Sequence, residues 1–345
     1  MLRLAAAALV LVSHSYALAG HAEPRLGHTT LGIVGVEIFF AISGFLIAGS
    51  WLARPRAGTF VLKRALRILP ALALTVALSA FVLGPLVSSL STGDYLGRSE
   101  PTRYVAENLI AVSSADAVGD LAFRLPGVFA TNETSVVNGS LWTLPVEIRA
   151  YLLVLLLGVT GLLLRRLWLV VAAGLLLLAL PASAAGWTGV GRVVEWRDSN
   201  PDLLLLAIFG VSALLYLYRE RVPLRPWPAV AALATWVLGA LVLADTEPVS
   251  NLLVALALPY LVIYVAYEAP RRLRALTRPG DVSYGLYLLA FPVGQTILHL
   301  AGRDAFGPLA LLAIAFPVTY LLALLSWRLV ERPALALKPA PFKRA

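Results

Sequence analysis

Ten long apolar runs govern what this chain can fold into. They lie at approximately 2–19, 30–52, 64–88, 141–163, 166–184, 202–218, 227–244, 248–267, 283–301 and 306–327. A helix needs about 17–25 apolar residues to cross a bilayer, and most of these runs have them. A run inside lipid must be helical, because only a helix satisfies its own backbone N–H and C=O groups. The expected fold class is all-α: a polytopic integral membrane protein with about ten transmembrane helices in one bundle. The sixth and seventh runs are the shortest. Hydrophobic residues make up 59% of the 345 and charged residues 14%, against about half and a quarter in soluble domains. No room is left for a large soluble catalytic domain, so any chemistry must be done inside the bundle. We expect one transmembrane domain over 1–335 and a short basic tail over 336–345. Cysteine is absent, which excludes disulfides, thiolate metal sites and cysteine nucleophiles. The first run lacks a small-x-small cleavage site, so no cleavable signal is expected.

Charge orients the bundle. The net charge is +9, and in a membrane protein basic excess collects in cytoplasmic loops rather than implying nucleic acid. With the N-terminus inside, one side collects Arg54, Arg56, Lys63, Arg64 and Arg67, then Arg165 and Arg166, then Arg219, Arg221 and Arg225. The same side takes Arg271, Arg272, Arg274 and Arg278, and finally the basic tail. Alternate connections thus obey the positive-inside rule, with both termini cytoplasmic. One long connection, about 89–140, lies outside and carries Asp94, Glu100, Glu107, Asp116, Asp120 and Glu133. Loops of this length without regular structure are uncommon unless functional or disordered; this one reads as a lid or an acceptor-binding element.

Buried charge in membrane helices defaults to a functional reading. Arg3 and His14 are eleven residues apart in the first run, which at about 100° per residue places both on one helix face, about 16 Å apart along the axis. By counting from the outer ends, His14, Glu37 and Glu147 fall in one layer about 6–10 Å below the outer surface. A neutral imidazole can take a proton from a hydroxyl, and a carboxylate can orient it. The alternative is that each is an isolated polar residue bonded to a neighbouring helix. A second layer at the cytoplasmic edge holds Arg3, Arg64 and Arg67. Arg64 and Arg67 are neighbours on one helix face, and guanidinium groups suit phosphate. The alternative is ordinary positive-inside anchoring. Two such layers suit an extended phosphorylated donor that binds inside and reaches outward.

These motifs resemble the membrane-bound acyltransferase-3 family, which O-acylates sugars and other hydroxylated acceptors. Arg3 and His14 match its R-x10-H signature. Glu37 to Ile47 (EIFFAISGFLI) is similar to its acidic-x-FFxxSGFLI segment. Arg64 and Arg67 match its R-x-x-R. Asn138 to Glu147 (NGSLWTLPVE), with Tyr151, is similar to a segment of polysaccharide O-acetyltransferase members. Ser283 to Leu288 (SYGLYL) and Glu331-Arg332-Pro333 match late motifs. The resemblance implies an acyl-CoA donor, usually acetyl-CoA, from the cytoplasm, no metal, and a carbohydrate or glycoconjugate acceptor of the cell envelope. The localisation it implies is the bacterial cytoplasmic membrane. His14 would be general base, Glu147 and Glu37 its candidate partners, and Arg3, Arg64 and Arg67 would hold CoA phosphates or order the donor channel. Two features depart from the family. Many relatives carry a His where this chain has Ala290, and the chain begins close to Arg3 without the usual short leader, which points to a start upstream.

Other residues have plainer readings beside functional ones. Ser43 could be a nucleophile or substrate contact, but next to Gly44 it fits close helix packing. Trp142, Tyr151 and Asn138 are candidate acceptor contacts, although aromatic residues are expected near membrane interfaces. His21 and His28 read as solvated and His299 as structural. Arg149, two residues from Glu147, points to another face. No motif specifies the acceptor, the acyl length or an oligomeric state. The competing functions are a transporter of sugars or lipid-linked glycan intermediates, which ten spans and buried charge also fit, and a structural partner of a polysaccharide machine. No convincing repeat between the two halves supports the transporter.

Overall fold

The structure is a computed structural model describing residues 1–110, 124–165, 174, 201–243, 246–270 and 280–338. The expected helical architecture is present. Helix α1 runs Leu2–Leu18, α2 Leu31–Ala53 and α3 Ala57–Leu78, the last continued by a π turn, Ser79–Leu83, and by Gly84–Val87. Two short helices follow, α4 (Thr92–Leu96) and α5 (Glu100–Ile110). A 3-10 turn, Gly139–Trp142, leads into α6 (Thr143–Val159). Then come α7 (Pro201–Leu217), α8 (Pro226–Val237, continued by the π turn Leu238–Val242) and α9 (Glu247–Glu268). The described chain closes with α10 (Ser283–Ala301) and α11 (Pro308–Ser326), then a π turn at Trp327–Glu331 and Arg332–Ala336.

Six of these helices are long and apolar enough to cross a membrane, by length and composition: Leu31–Ala53, Ala57–Val87, Gly139–Val159, Val249–Glu268, Ser283–Ala301 and Pro308–Ala336. Leu2–Leu18, Asp202–Leu217 and Pro226–Val242 are shorter apolar helices. The expected run at 166–184 lies, except for Gly174, outside the described residues, as do Arg166, Asp116, Asp120 and the arginines of 271–278.

Two details differ from an all-helical reading. Arg25–Leu26 (β1) pairs antiparallel with Thr29–Thr30 (β2). The turn is made by Gly27, whose φ of +65° a side chain would resist. Thr30 then caps α2, its side chain accepting from the Ile33 amide at 3.4 Å, which satisfies one of the orphan donors of a helix start. The long connection at about 89–140 is not irregular throughout. It contains α4 and α5, bridges pair Ser88 with Val128 and Arg124 with Val136, and Tyr95, Tyr104, Phe129 and Val137 are buried. Burial of aromatic side chains supplies the apolar area that loop backbone lacks.

The chain forms two compact units, each assembled from separate stretches. The first comprises Met1–Ala6, Arg25–Phe60 and Val146–Ala275; the second comprises Ala7–Pro24, Val61–Pro145 and Leu276–Ala345. In the first, α2 packs on α7 and α9, and α8 on α9. Contact between α2 and α7 is very close: a Cβ on Gly44 would stand 2.2 Å from the Phe209 carbonyl oxygen, and Ser212 Oγ donates to the Ala41 carbonyl. Small residues allow such backbone approach in lipid. In the second unit α10 packs on α11. There Tyr95 fills the space beside Gly84, and its hydroxyl donates to Ala80 O, within the π turn of α3, at 2.8 Å.

Candidate active site

In the second unit His14 stands edge-on to Phe291 of α10, ring centroids 4.9 Å apart and planes at 84°. Its Nδ1 is buried and has no hydrogen-bond partner among the described residues, while the ring as a whole keeps partial exposure. Ser13, one residue before, donates to Glu23. Phe291 belongs to a buried cluster with Leu18, Leu298 and Leu311, which holds the C-terminal end of α1 against α10.

The segment that ends in NGSLWTLP reaches the same aromatic ring. A Cβ on Gly139 would lie 2.7 Å from Phe291 Cε2, so only glycine fits. Asn138 donates from Nδ2 to Leu288 O at 2.8 Å and accepts at Oδ1 from the Ser140 amide at 3.0 Å. The Tyr287 hydroxyl donates to Ser140 O at 2.7 Å and lies 2.6 Å from Thr143 Oγ1. Asn138, expected as an acceptor contact, thus anchors a chain corner on α10. Ala290, the position of the missing family His, is buried beside Phe291 in the sequence of α10.

Three motifs distant in sequence meet at Arg67. Its guanidinium reaches Asp281 at 2.7 Å and Glu331 at 3.4 Å, and its Cζ stands 5.5 Å from the Tyr284 ring centroid. Glu331 is 2% exposed and also accepts from Ser326 Oγ at 3.3 Å; Ser283 donates to Asp281 at 2.6 Å. The π turn Trp327–Glu331 interrupts the long last span at this point; π turns often occur at functional sites. The sequence marks Arg67, Ser283–Leu288 and Glu331 as motif residues, but that they pair with one another was not foreseeable from spacing.

The other expected residues fall as follows. Arg64 precedes Arg67 by one helical turn on α3, and Trp142 is half-buried in the 3-10 turn. Arg3, Glu37, Ser43, Glu147 and Tyr151 belong to the first unit, His14, Arg64, Arg67, Asn138 and Trp142 to the second. The Tyr151 hydroxyl donates to Glu147 Oε1, an i, i+4 pair on α6. Arg149 turns to Asp202 of α7 at 3.2 Å, away from Glu147. Glu37 is buried and lines a cavity of about 10 Å³, roughly one water in size, with His28, Trp236 and Asn251. His28 is half-buried rather than solvated, its Nδ1 3.2 Å from Ser250 Oγ. Ser43 is buried, next to the close approach at Gly44. A larger cavity of about 200 Å³, lined by Phe45, Arg219, Tyr260 and Tyr267, holds none of the expected site residues. Among the described residues no group of His, Asp or Glu side chains could hold a metal ion.

A bundle of apolar, membrane-length helices with a buried imidazole and buried charge networks defines the class, a multi-pass helical membrane protein. The profile of the acyltransferase-3 domain, an acyltransferase domain, matches residues 1–328, and the chain belongs to this family. It is 31% identical over 365 residues to Nodulation protein 10 of Rhizobium leguminosarum bv. viciae, covering 98% of this chain and 93% of that protein. It is also 31% identical over 339 residues to an O-acetyl transferase of Shigella phage Sf6, covering 96% and 93%. No solved structure matches. The protein is an acyltransferase, and its reaction is O-acyl transfer.

Proposed function

We propose that the protein moves an acetyl or other short acyl group from cytoplasmic acyl-CoA to a hydroxyl of a cell-envelope or exported carbohydrate, in the bacterial cytoplasmic membrane. The observation that carries this reading is the buried His14 Nδ1 on the apolar helix α1, which has no partner among the described residues. A membrane protein keeps such a group where it is used. His14 takes the proton from the acceptor hydroxyl as its oxygen attacks the thioester carbonyl. Glu147, held by Tyr151, and Glu37 are the carboxylates proposed for the acid–base chemistry. Arg3 and Arg64 are proposed for the CoA phosphates. Arg67, paired with Asp281 and Glu331, is proposed to order the donor end. Trp142 and Ser43 are proposed to line the acceptor path. The acetyl group is favoured by the phage relative, an O-acetyl transferase, and a glycan acceptor by the family resemblance.

Purified protein in liposomes, given radiolabelled acetyl-CoA and envelope polysaccharide stripped of O-acyl esters by mild alkali, tests this. His14→Ala should lower kcat by about 10²- to 10⁴-fold, the usual contribution of a general base, with the wild-type melting temperature. Full transfer by folded His14→Ala protein would remove His14 from the chemistry. Accumulation of sugar in the vesicles with no CoA released would instead favour a transporter.

A further inference from the structure

Residues 129 to 138 follow α10 in reverse without being helical and lead into the 3-10 turn Gly139–Trp142, and their contacts step along α10 from His299 toward Tyr287. The Phe129 ring is 5.9 Å from that of His299. Asn132 donates to Gln295 O and Oε1 at 2.9 and 2.7 Å. Gln295 Nε2 donates to Thr134 O and Val136 O at 2.8 and 2.6 Å. Gly139 lies against Phe291, Asn138 is bonded to Leu288, and Ser140 to Tyr287. From residue 299 to 287 the contacts move about 18 Å along a membrane-length helix. Non-helical backbone at such depth persists only where protein buries it or where it lines a cavity.

Besides His299 Nδ1 at its start, three buried side-chain atoms beside this segment have no hydrogen-bond partner among the described residues: Asn132 Oδ1, His14 Nδ1 and Ser140 Oγ. Asn132 is 9% exposed and Ser140 1%. Native proteins leave few buried polar atoms unpaired. Ser140 is the sharpest case: its amide and carbonyl are both bonded, and only its hydroxyl is idle. An amide oxygen and an unprotonated imidazole nitrogen accept only, and a hydroxyl can accept. All three are satisfied by hydroxyl donors, as on a polyol.

We propose that this descending segment is the acceptor's way in, and that Asn132, His14 and Ser140 bind hydroxyls of a polyhydroxylated acceptor, with Ser140 the deepest contact. The proposal rests on the reading of His14 as base and of residue 301 as the outer end of α10. In the transfer the acceptor O–H gives its proton to His14 and the new O–acyl bond forms. The thioester C–S bond breaks, and the departing CoA sulfur takes up a proton. Ser140 takes no part in these bond changes; it positions the reacting hydroxyl.

Ser140→Ala removes only the idle hydroxyl. With the stripped polysaccharide as acceptor, its KM for that acceptor should rise about 3- to 10-fold, the worth of one hydrogen bond, with the KM for acetyl-CoA and the melting temperature unchanged. An unchanged acceptor KM in folded protein overturns the proposal, whereas an inactive wild type would instead defeat the underlying reading of function. A second arm does not depend on activity. The chain has no cysteine, so Ser140→Cys places a single thiol at the bottom of the path. A small cationic methanethiosulfonate added outside should modify it, and the stripped polysaccharide should slow that reaction. Absence of modification, or reaction only from the inside, overturns the path.

Discussion

A half-buried cation between two carboxylates makes Arg67 the most consequential side chain outside the base. Removing it leaves Glu331, 2% exposed, as an uncompensated charge, which in buried pairs typically destabilises by about 3–5 kcal/mol. Arg67→Ala should therefore lower the melting temperature sharply. Glu331→Gln should be milder, because Asp281 still holds Arg67 at 2.7 Å. Equal stability of wild type and Arg67→Ala would show that the network has no structural role. At this scale the sequence was partly legible. Arg3, His14, Arg64 and Arg67 stand out because charge in an apolar run is conspicuous. Asn138 does not announce that it anchors Leu288, because a side-chain bond to a backbone carbonyl 150 residues away leaves no periodic trace.

Among the elements, the apolar runs were readable and the exceptions to regularity were not. The π turns at Ser79–Leu83, Leu238–Val242 and Trp327–Glu331 have no signal in hydrophobic patterning, since one extra residue per turn changes no residue's hydropathy. The ordered helices of the long connection were equally hidden, because their stability comes from burying Tyr95 and Tyr104 rather than from a long amphipathic pattern. Burial pushes the Tyr95 phenol up from 10.0 to about 12 and raises that of Tyr104 too. The neutral phenol is the form the fold favours, so the unfolded chain loses its proton first. Stability from Tyr95 is complete below about pH 10 and falls as pH rises toward 12. Melting curves of wild type should drop between these values more steeply than those of Tyr95→Phe. Parallel curves for the two proteins would show that this tyrosine does not govern the alkaline limit.

For the whole molecule, orientation is the property that charge alone proposes. With no cysteine in the chain, single thiols report sidedness without background. An impermeant maleimide added outside should label Ser91→Cys and Asp304→Cys in intact cells, and should label Arg56→Cys and Glu220→Cys only after permeabilisation. The reverse pattern would invert the bundle and with it the acceptor's side.

Membership of a helical membrane acyltransferase family was already written in the order of residues. Each apolar run must satisfy its own backbone in lipid, so length and hydropathy alone imply a helix. Motif spacing along such helices places Arg3 and His14 on one face without knowledge of any neighbour. Pairing is different in kind. Arg67 and Glu331 are 264 residues apart, and Gln295 grips a chain segment more than 150 residues away. Whether a buried polar atom is bonded or left idle for a substrate depends on distances of a few ångströms between distant segments. Only the tertiary structure shows that Asn138 is occupied while the hydroxyl of Ser140, two residues later, is not.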